Sequence, residues 1–364
     1  MCDISKIDKN FKIETKIDKP DIKFYDVKSG VFDVYGLYNF FENNNYCRMN
    51  PEVADSLQSG AGALNWCTAG GRIRFKTNSQ YVAINRKLTF FKDGGGKMSH
   101  MTATGSSGYD LYLVENGEQI YYKSFIVPHG FGEDYENVVE FENNDERDII
   151  IHFPLYNGCS QMYIGLQENA EIKHGSNYKY EKPMVIYGSS ITQGGCASRP
   201  GNAYSNMLSR WLDADHINLG FAGNAKGEDI MAEYIANLDM SIFVYDYDHN
   251  APTNEHLEKT HERFFKIFRE KQPDTPVVIM SRVDIPTTPG GVVTEEIRKA
   301  IIRKTYDNAV NAGDKNVYFI DGKEIFKLAG YRDCTVDGCH PNDLGFYCMA
   351  KAVEKAIKDN NLLK

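Results

Sequence analysis

A serine, a histidine and an aspartate in two short segments carry the chemistry open to this chain. Val185-Ile186-Tyr187-Gly188-Ser189-Ser190-Ile191-Thr192 is apolar up to a glycine and then presents two serines. That is the pattern of a buried strand that stops and turns. Asp337-Gly338-Cys339-His340-Pro341-Asn342-Asp343 puts a carboxylate and an imidazole three residues apart near the C-terminus. A serine hydroxyl is a weak nucleophile until a base takes its proton, and that base needs a carboxylate to fix its tautomer. Ser190, His340 and Asp337 supply the three roles if the fold joins segments 150 residues apart. Each also has a plainer reading: a turn serine, a surface histidine, a turn former beside Gly338. Asp333 and Asp343 are competing carboxylates, and Asn342 reads as the N-cap of a final helix. Ser189 reads as a local hydrogen-bond former.

The elements that must join them show as an alternation. Apolar runs at 184–187, 217–219, 242–245, 277–280 and 317–320 are separated by helical periods at 204–212, 229–237, 254–271 and 294–312. A last helix is expected at 346–358. Strands separated by helices imply an α/β unit of three layers, a parallel sheet covered on both faces. Ligands bind beyond the carboxyl ends of such strands. Ser190, Gly223 and Asn250 each follow one of these runs, so all three fall on that edge. Upstream, residues 28–172 read as strands, including 72–76, 81–86, 110–114 and 120–126. Asn116-Gly117 is a hairpin signal between the last two. Segments 138–141 and 148–153 read as a further pair across Asn143-Asn144-Asp145. Short strands with regular turns suggest a β-sandwich or jelly roll. The polar stretch 173–183 ends in proline and reads as the boundary, giving an N-terminal β-domain at 1–178 and a catalytic domain at 183–364.

Two further segments, Asn218-Leu219-Gly220-Phe221-Ala222-Gly223-Asn224 and Tyr245-Asp246-Tyr247-Asp248-His249-Asn250, complete a set of four. Together they resemble the blocks of the SGNH, or GDSL-like, hydrolase superfamily. The resemblance implies that Ser190 is the nucleophile and that Asp337 and His340 complete the triad. It also implies an oxyanion hole made of the Ser190 and Gly223 N–H groups and the Asn250 amide. Block one departs from Gly-Asp-Ser, reading Gly188-Ser189-Ser190, and block three reads Asp248-His249-Asn250-Ala251 in place of Gly-x-Asn-Asp. Gly-Ser-Ser-Ile-Thr-Gln-Gly-Gly followed by Ser198-Arg199-Pro200-Gly201 is similar to a subgroup that carries an upstream Gly-x-Asp-Leu-Tyr domain. Gly108-Tyr109-Asp110-Leu111-Tyr112 matches that motif. Arg199 is a candidate for substrate contact or for a structural ion pair, and His249 for substrate contact as a pocket wall. Tyr109 and Tyr112 read as core residues.

Composition narrows the function classes. At 364 residues the chain is long for one core. Its net charge of −9 argues against nucleic acid and anionic membranes, which recruit basic patches. No window reaches the roughly 18 apolar residues of a membrane span. The start of the chain alternates lysine and acid with single apolar residues, unlike an export signal, so a cytoplasmic location is expected. The eight cysteines contain no Cys-x-x-Cys and read as reduced thiols. Cys334, Cys339 and His340 have the wrong spacing for a zinc knuckle, and neither a metal nor an organic cofactor is expected. Asp93-Gly94-Gly95-Gly96-Lys97 lacks the first glycine and the Ser/Thr of a phosphate loop and reads as a flexible loop.

The reading is a serine esterase, with an acylated sugar or oligosaccharide as its partner and a homo-oligomer allowed. Similar two-domain proteins imply removal of small acyl groups, O-acetyl first, from carbohydrates. A lipase, thioesterase or general acyl-esterase is the alternative enzyme, and a carbohydrate-binding pseudoenzyme the alternative of another class.

Overall fold

The computed structural model describes residues 13–89, 98–130, 132, 134–283 and 293–364. Cys2 and the glycine-rich stretch 93–97 lie outside them. Five parallel strands form the C-terminal sheet, in the order Ala214–Gly220, Tyr180–Gly188, Ile242–Asp246, Val277–Met280, Val317–Ile320. Residues alternate faces along a strand, so each strand feeds two cores. Val185, Tyr187, Phe243, Tyr245, Val277 and Ile279 pack under the helices Asp229–Ala236, Asn254–Lys271 and Val293–Asn311. Met184, Ile186, Ile242, Val244, Val278 and Met280 pack under Tyr204–Leu212 and Asp343–Asp359. This is the expected three-layer α/β arrangement. Among the described residues no helix is long and apolar enough to cross a membrane.

The N-terminal strands form two antiparallel sheets. One runs Ile22–Asp26, Gly158–Gln167, Tyr81–Thr89, Asp134–Glu140. The other runs Ile172–His174, Arg72–Thr77, Arg147–His152, Tyr109–Glu115, Glu118–Phe125, with Asp33–Tyr35 on Arg72–Thr77. Val82, Ile84, Val139 and Ile164 of the first share a core with Ile73, Leu111, Ile149 and Ile151 of the second. The Asn116-Gly117 turn forms as expected, both residues having positive φ. The second expected pairing does not. Asp134–Glu140 pairs with Tyr81–Thr89, whereas Arg147–His152 pairs with Arg72–Thr77 and Tyr109–Glu115 in the other sheet. The connection between them carries the chain across the core, a choice that a local turn signal does not contain. The stretch 173–183 is not a bare linker either. It begins in the strand Ile172–His174 and ends in Tyr180–Gly188, with Pro183 at an irregularity in the pairing to Ala214–Gly220.

The two halves share cores and interlock through buried polar groups. Met49, Ala54, Leu57, Ala61, Leu64 and Cys67 belong to the core beneath Asp229–Ala236. Arg48 Nη1 donates to the Gly220 carbonyl at 2.6 Å, and Arg72 Nη1 to the His216 carbonyl at 3.0 Å. Asp110 of the Gly-x-Asp-Leu-Tyr motif is fully buried and accepts from Arg199 Nη1 and the Gly201 N–H, each at 2.8 Å. Its other oxygen lies 2.9 Å from His152 Nδ1. A Cβ on Gly201 would lie 2.4 Å from the Tyr112 hydroxyl, so only glycine lets the halves approach this closely. The two motifs recognised in the sequence are one contact. Tyr109 and Tyr112 are core, as expected.

Asp110→Ala removes the carboxylate that accepts from Arg199 and the Gly201 N–H, leaving Arg199 only the Tyr112 hydroxyl. The expected loss is about 3–5 kcal/mol of stability, read as a lowered denaturant midpoint. An unchanged midpoint would show that the interface does not depend on this pair. A second prediction concerns Asp246, buried at a strand end, where Oδ2 accepts from Thr192 at 2.8 Å and Tyr204 at 3.0 Å. Burial pushes its pKa from 3.8 to about 7, against those hydrogen bonds and with help from the Asp248 charge. A carboxyl with a raised folded pKa holds its proton more tightly when folded. Its stabilising contribution is therefore present below about pH 4 and is lost as pH rises towards about 7. Asp246→Asn, which keeps the neutral shape, should gain stability relative to wild type across that window. Parallel pH profiles for the two proteins would refute this.

Candidate active site

The turn that carries Ser190 is set by the level at which three strands end. Gly188 pairs with Gly220 on one side and with Asp246 on the other. The helix Ser190–Gln193 sits across these ends, capped by Ser189, whose Oγ accepts from the Ile191 N–H at 3.1 Å. A Cβ on Gly220 would lie 2.1 Å from Gln193 N, so the short helix needs glycine there. The Ser190 carbonyl accepts from the N–H groups of Gly194 and Gly195 and from the Tyr156 hydroxyl at 3.0 Å. Tyr156 belongs to the N-terminal half, so both halves hold the turn that carries Ser190.

The fold brings the two chemical segments together. Ser190 Oγ lies 2.9 Å from His340 Nε2, and His340 Nδ1 lies 2.8 Å from Asp337 Oδ2. An ionised carboxylate only accepts, so Nδ1 carries the hydrogen and Nε2 is left to accept from the serine. Asp337 Oδ1 also accepts from the N–H groups of His340 at 2.7 Å and Cys339 at 3.0 Å. Burial works to raise the Asp337 pKa, but the His340 N–H, its ring and the Cys339 N–H outweigh it and hold the carboxyl at about 2. The loop is closed by a Thr335–Pro341 bridge and by Asn342, which caps the last helix as expected. The competing carboxylate Asp343 is taken by the Ser198 N–H at 2.9 Å and Asn202 Nδ2 at 2.8 Å.

Gly223 and Asn250 stand on the same edge. Gly223 is exposed, has φ 69° and has open space around it. Asn250 Oδ1 accepts from the Ala225 N–H at 3.3 Å, which leaves its Nδ2 to donate elsewhere. Among the described residues neither the Gly223 N–H nor Asn250 Nδ2 has a partner. Braces absent from the sequence reading fix both loops. Gln193 Oε1 accepts from the Ala222 N–H at 3.0 Å while its Nε2 donates to the Leu155 carbonyl at 3.0 Å. Arg298 Nε donates to buried Asp248 at 2.6 Å and its Nη2 to the Ala251 carbonyl at 3.2 Å. Gln193 and Asp248 lie inside recognised blocks, which was a usable signal. Arg298 sits in a helix and had none.

The remaining candidates separate. Of the two roles open to Arg199, the structure supplies the ion pair: Nη1 bonds Asp110 and Tyr112, and the guanidinium stacks 3.9 Å from the Tyr121 ring. His249 is half-buried, and burial, then Arg282, Arg298 and His340, hold its pKa well below the ordinary value. It is a neutral neighbour of His340. His100, from the N-terminal half, brings its ring to 5.5 Å from that of His340. The ligand atoms of His100, Cys196 and His340 lie within 4.8 Å of one another and could hold a metal ion, which would compete for a ring nitrogen of His340. Cys334 is oriented otherwise, its Sγ 3.8 Å from the Ala329 carbonyl. The seven cysteines among the described residues are free thiols.

Comparison with known proteins gives the family of each half. Residues 181–358 match the GDSL-like lipase/acylhydrolase family, and residues 22–172 match the GxDLY domain, the N-terminus of SGNH-hydrolase-type esterases. No curated protein matches the chain in sequence. A Bacteroides ovatus protein described as a GDSL-like lipase superposes with a TM-score of 0.84 at 26% identity, covering 94% of this chain and 99% of its own. The salicylyl-acyltransferase SsfX3 of a tetracycline biosynthetic pathway gives 0.76 at 17% identity, covering 95% and 100%. Est2A, an acetyl xylan esterase of Butyrivibrio proteoclasticus, gives 0.55 at 12% identity, covering 93% and 98%. Asp110 lies in one matched region and Arg199 in the other, so their contact joins the two, and by these matches residues 181–358 are a GDSL-like acylhydrolase domain preceded by a GxDLY domain, which makes the protein an esterase.

Proposed function

We propose that the protein is a serine esterase that removes O-acetyl groups from carbohydrates. The observation that carries the chemistry is the continuous hydrogen-bonded run from Ser190 Oγ through His340 to Asp337 at the carboxyl edge of the sheet. Ser190 Oγ attacks the ester carbonyl carbon as His340 Nε2 takes its proton. The oxyanion is held by the Ser190 and Gly223 N–H groups and by Asn250 Nδ2. The C–O bond to the alcohol then breaks, and His340 returns the proton to the departing oxygen. Water repeats the sequence on the acyl-enzyme. Asp337 stays ionised throughout and stabilises the imidazolium. No step calls on a metal.

The carbohydrate part of the proposal is supported by the acetyl xylan esterase among the structural neighbours, whose likeness to this chain is one of fold. We also read the two N-terminal sheets as a jelly roll. In strand order along the chain, leaving out Asp33–Tyr35 and Ile172–His174, one sheet contains strands 1, 8, 3, 6 and the other 2, 7, 4, 5, an order that supports this reading. The division at 1–178 and 183–364 and a cytoplasmic location belong to the same reading; the free cysteines support the latter.

Ser190→Ala and His340→Ala should each lower kcat by roughly 10⁴-fold or more with folding intact, and the double variant should be little worse than either. Losses that multiply would mean that the two do not act as a unit. Asn250→Ala should cost about 3 kcal/mol in the transition state, or 10²–10³ in kcat. Acyl preference is tested with 4-nitrophenyl esters from acetate to octanoate. Activity should fall steeply beyond acetate, and a maximum at octanoate would make the enzyme a lipase instead.

A further inference from the structure

Arg282 lies two residues beyond the strand Val277–Met280, on the same edge as Ser190, Gly223 and Asn250. Its backbone is fixed. The N–H donates to Asp248 Oδ2 at 3.0 Å, and the carbonyl is packed so closely on Gly322 that a Cβ there would lie 2.0 Å away. Its side chain is held by nothing comparable. The half-buried guanidinium makes no hydrogen bond or ion pair among the described residues, and its Nε is fully buried without a partner. Leaving a buried donor of a cation unpaired is costly. The carboxylates at the site are already occupied, Asp248 by Arg298 and Asp337 by His340.

The position of the charge says which part of a substrate it meets. Arg282 acts on His249 and, against the raising effect of burial, on the thiol of Cys339, the residue before His340. The strand of Ser190 lies between those that lead to Gly223 and Asn250, the strand of Arg282 lies one further on, and the charge of Arg282 reaches Cys339, next to His340. His340 protonates the departing alcohol, so this is the alcohol side of the ester. A guanidinium matches a carboxylate in two parallel hydrogen bonds.

We propose that Arg282 is a subsite for a carboxylate on the alcohol portion of the ester, so that the substrate is an O-acetylated sugar acid. This rests on the carbohydrate-esterase reading above and specifies its substrate class.

The test compares acetate release from the acetylated methyl glycoside of a hexuronic acid, with its carboxylate free, and from the same glycoside with the carboxyl methylated. Wild type should favour the charged compound by roughly ten- to hundredfold in kcat/KM, and added salt should shrink the ratio. Arg282→Gln should bring the ratio near one, and Arg282→Lys should keep part of it. A structural role would depress both compounds alike and leave the ratio unchanged. A wild-type ratio near one, or a ratio that survives in Arg282→Gln, overturns the proposal. Should Arg282→Gln not fold, the wild-type ratio, its salt dependence and Arg282→Lys still decide. An Arg282-dependent preference for 4-nitrophenyl hemisuccinate over 4-nitrophenyl acetate would place the carboxylate on the acyl side and overturn the assignment. If wild type cleaves 4-nitrophenyl acetate but neither glycoside, the carbohydrate reading fails and takes the proposal with it. If it cleaves both glycosides equally, only the proposal fails.

Discussion

Everything at the site depends on three parallel strands ending level at Gly188, Gly220 and Asp246. That level edge is a platform on which one turn of helix, Ser190–Gln193, rests without the side chains that would lift it. Three side-chain hydrogen bonds fasten it. Thr192 reaches down to Asp246, Gln193 reaches across to the Ala222 N–H, and Asn218 Nδ2 reaches up to the Thr192 carbonyl at 2.7 Å. The groups around Ser190 are therefore placed by the level strand ends together with buried side chains, Gln193 and Arg298 among them, that brace the loops above. Preorganised donors are effective because nothing needs to move when charge develops.

The N-terminal half is part of this device. Tyr156 and Leu155 touch the Ser190–Gln193 turn directly, Arg48 holds the end of the Ala214–Gly220 strand, and His100 lies beside His340. Burying Asp110 with Arg199 and His152 ties the two halves where a purely apolar contact would allow sliding. A charged pair with fixed hydrogen-bond directions sets one register between the halves. The substitution of Gly-Asp-Ser by Gly188-Ser189-Ser190 is accommodated within the same frame, since Ser189 serves as the helix cap.

The aromatic richness of the chain finds its place mainly in the interior. Tyr187, Tyr245, Phe243 and Phe264 stack in one core, with His261 4.5 Å from Tyr245. Offset stacking of large rings fills the space between the sheet and its helices at little conformational cost.

What the sequence determined by itself was periodicity and chemistry. Alternation of apolar runs and helical periods specified the parallel sheet, because burial on both faces leaves a strand no polar positions. Residue type together with the resemblance of four segments singled out Ser190, His340 and Asp337, which the fold brings within hydrogen-bond reach of one another. What only the tertiary structure decided were the contacts between segments distant in the chain. The strands Asp134–Glu140 and Arg147–His152 part to opposite sheets, Met49–Cys67 enters the other half's core, and Arg298 finds Asp248. Arg199 turns to Asp110, while Arg282 remains without a partner among the described residues. Local patterns encode which face of an element is buried. Which surface buries it, and which charge is left over, depends on the packing of the whole chain.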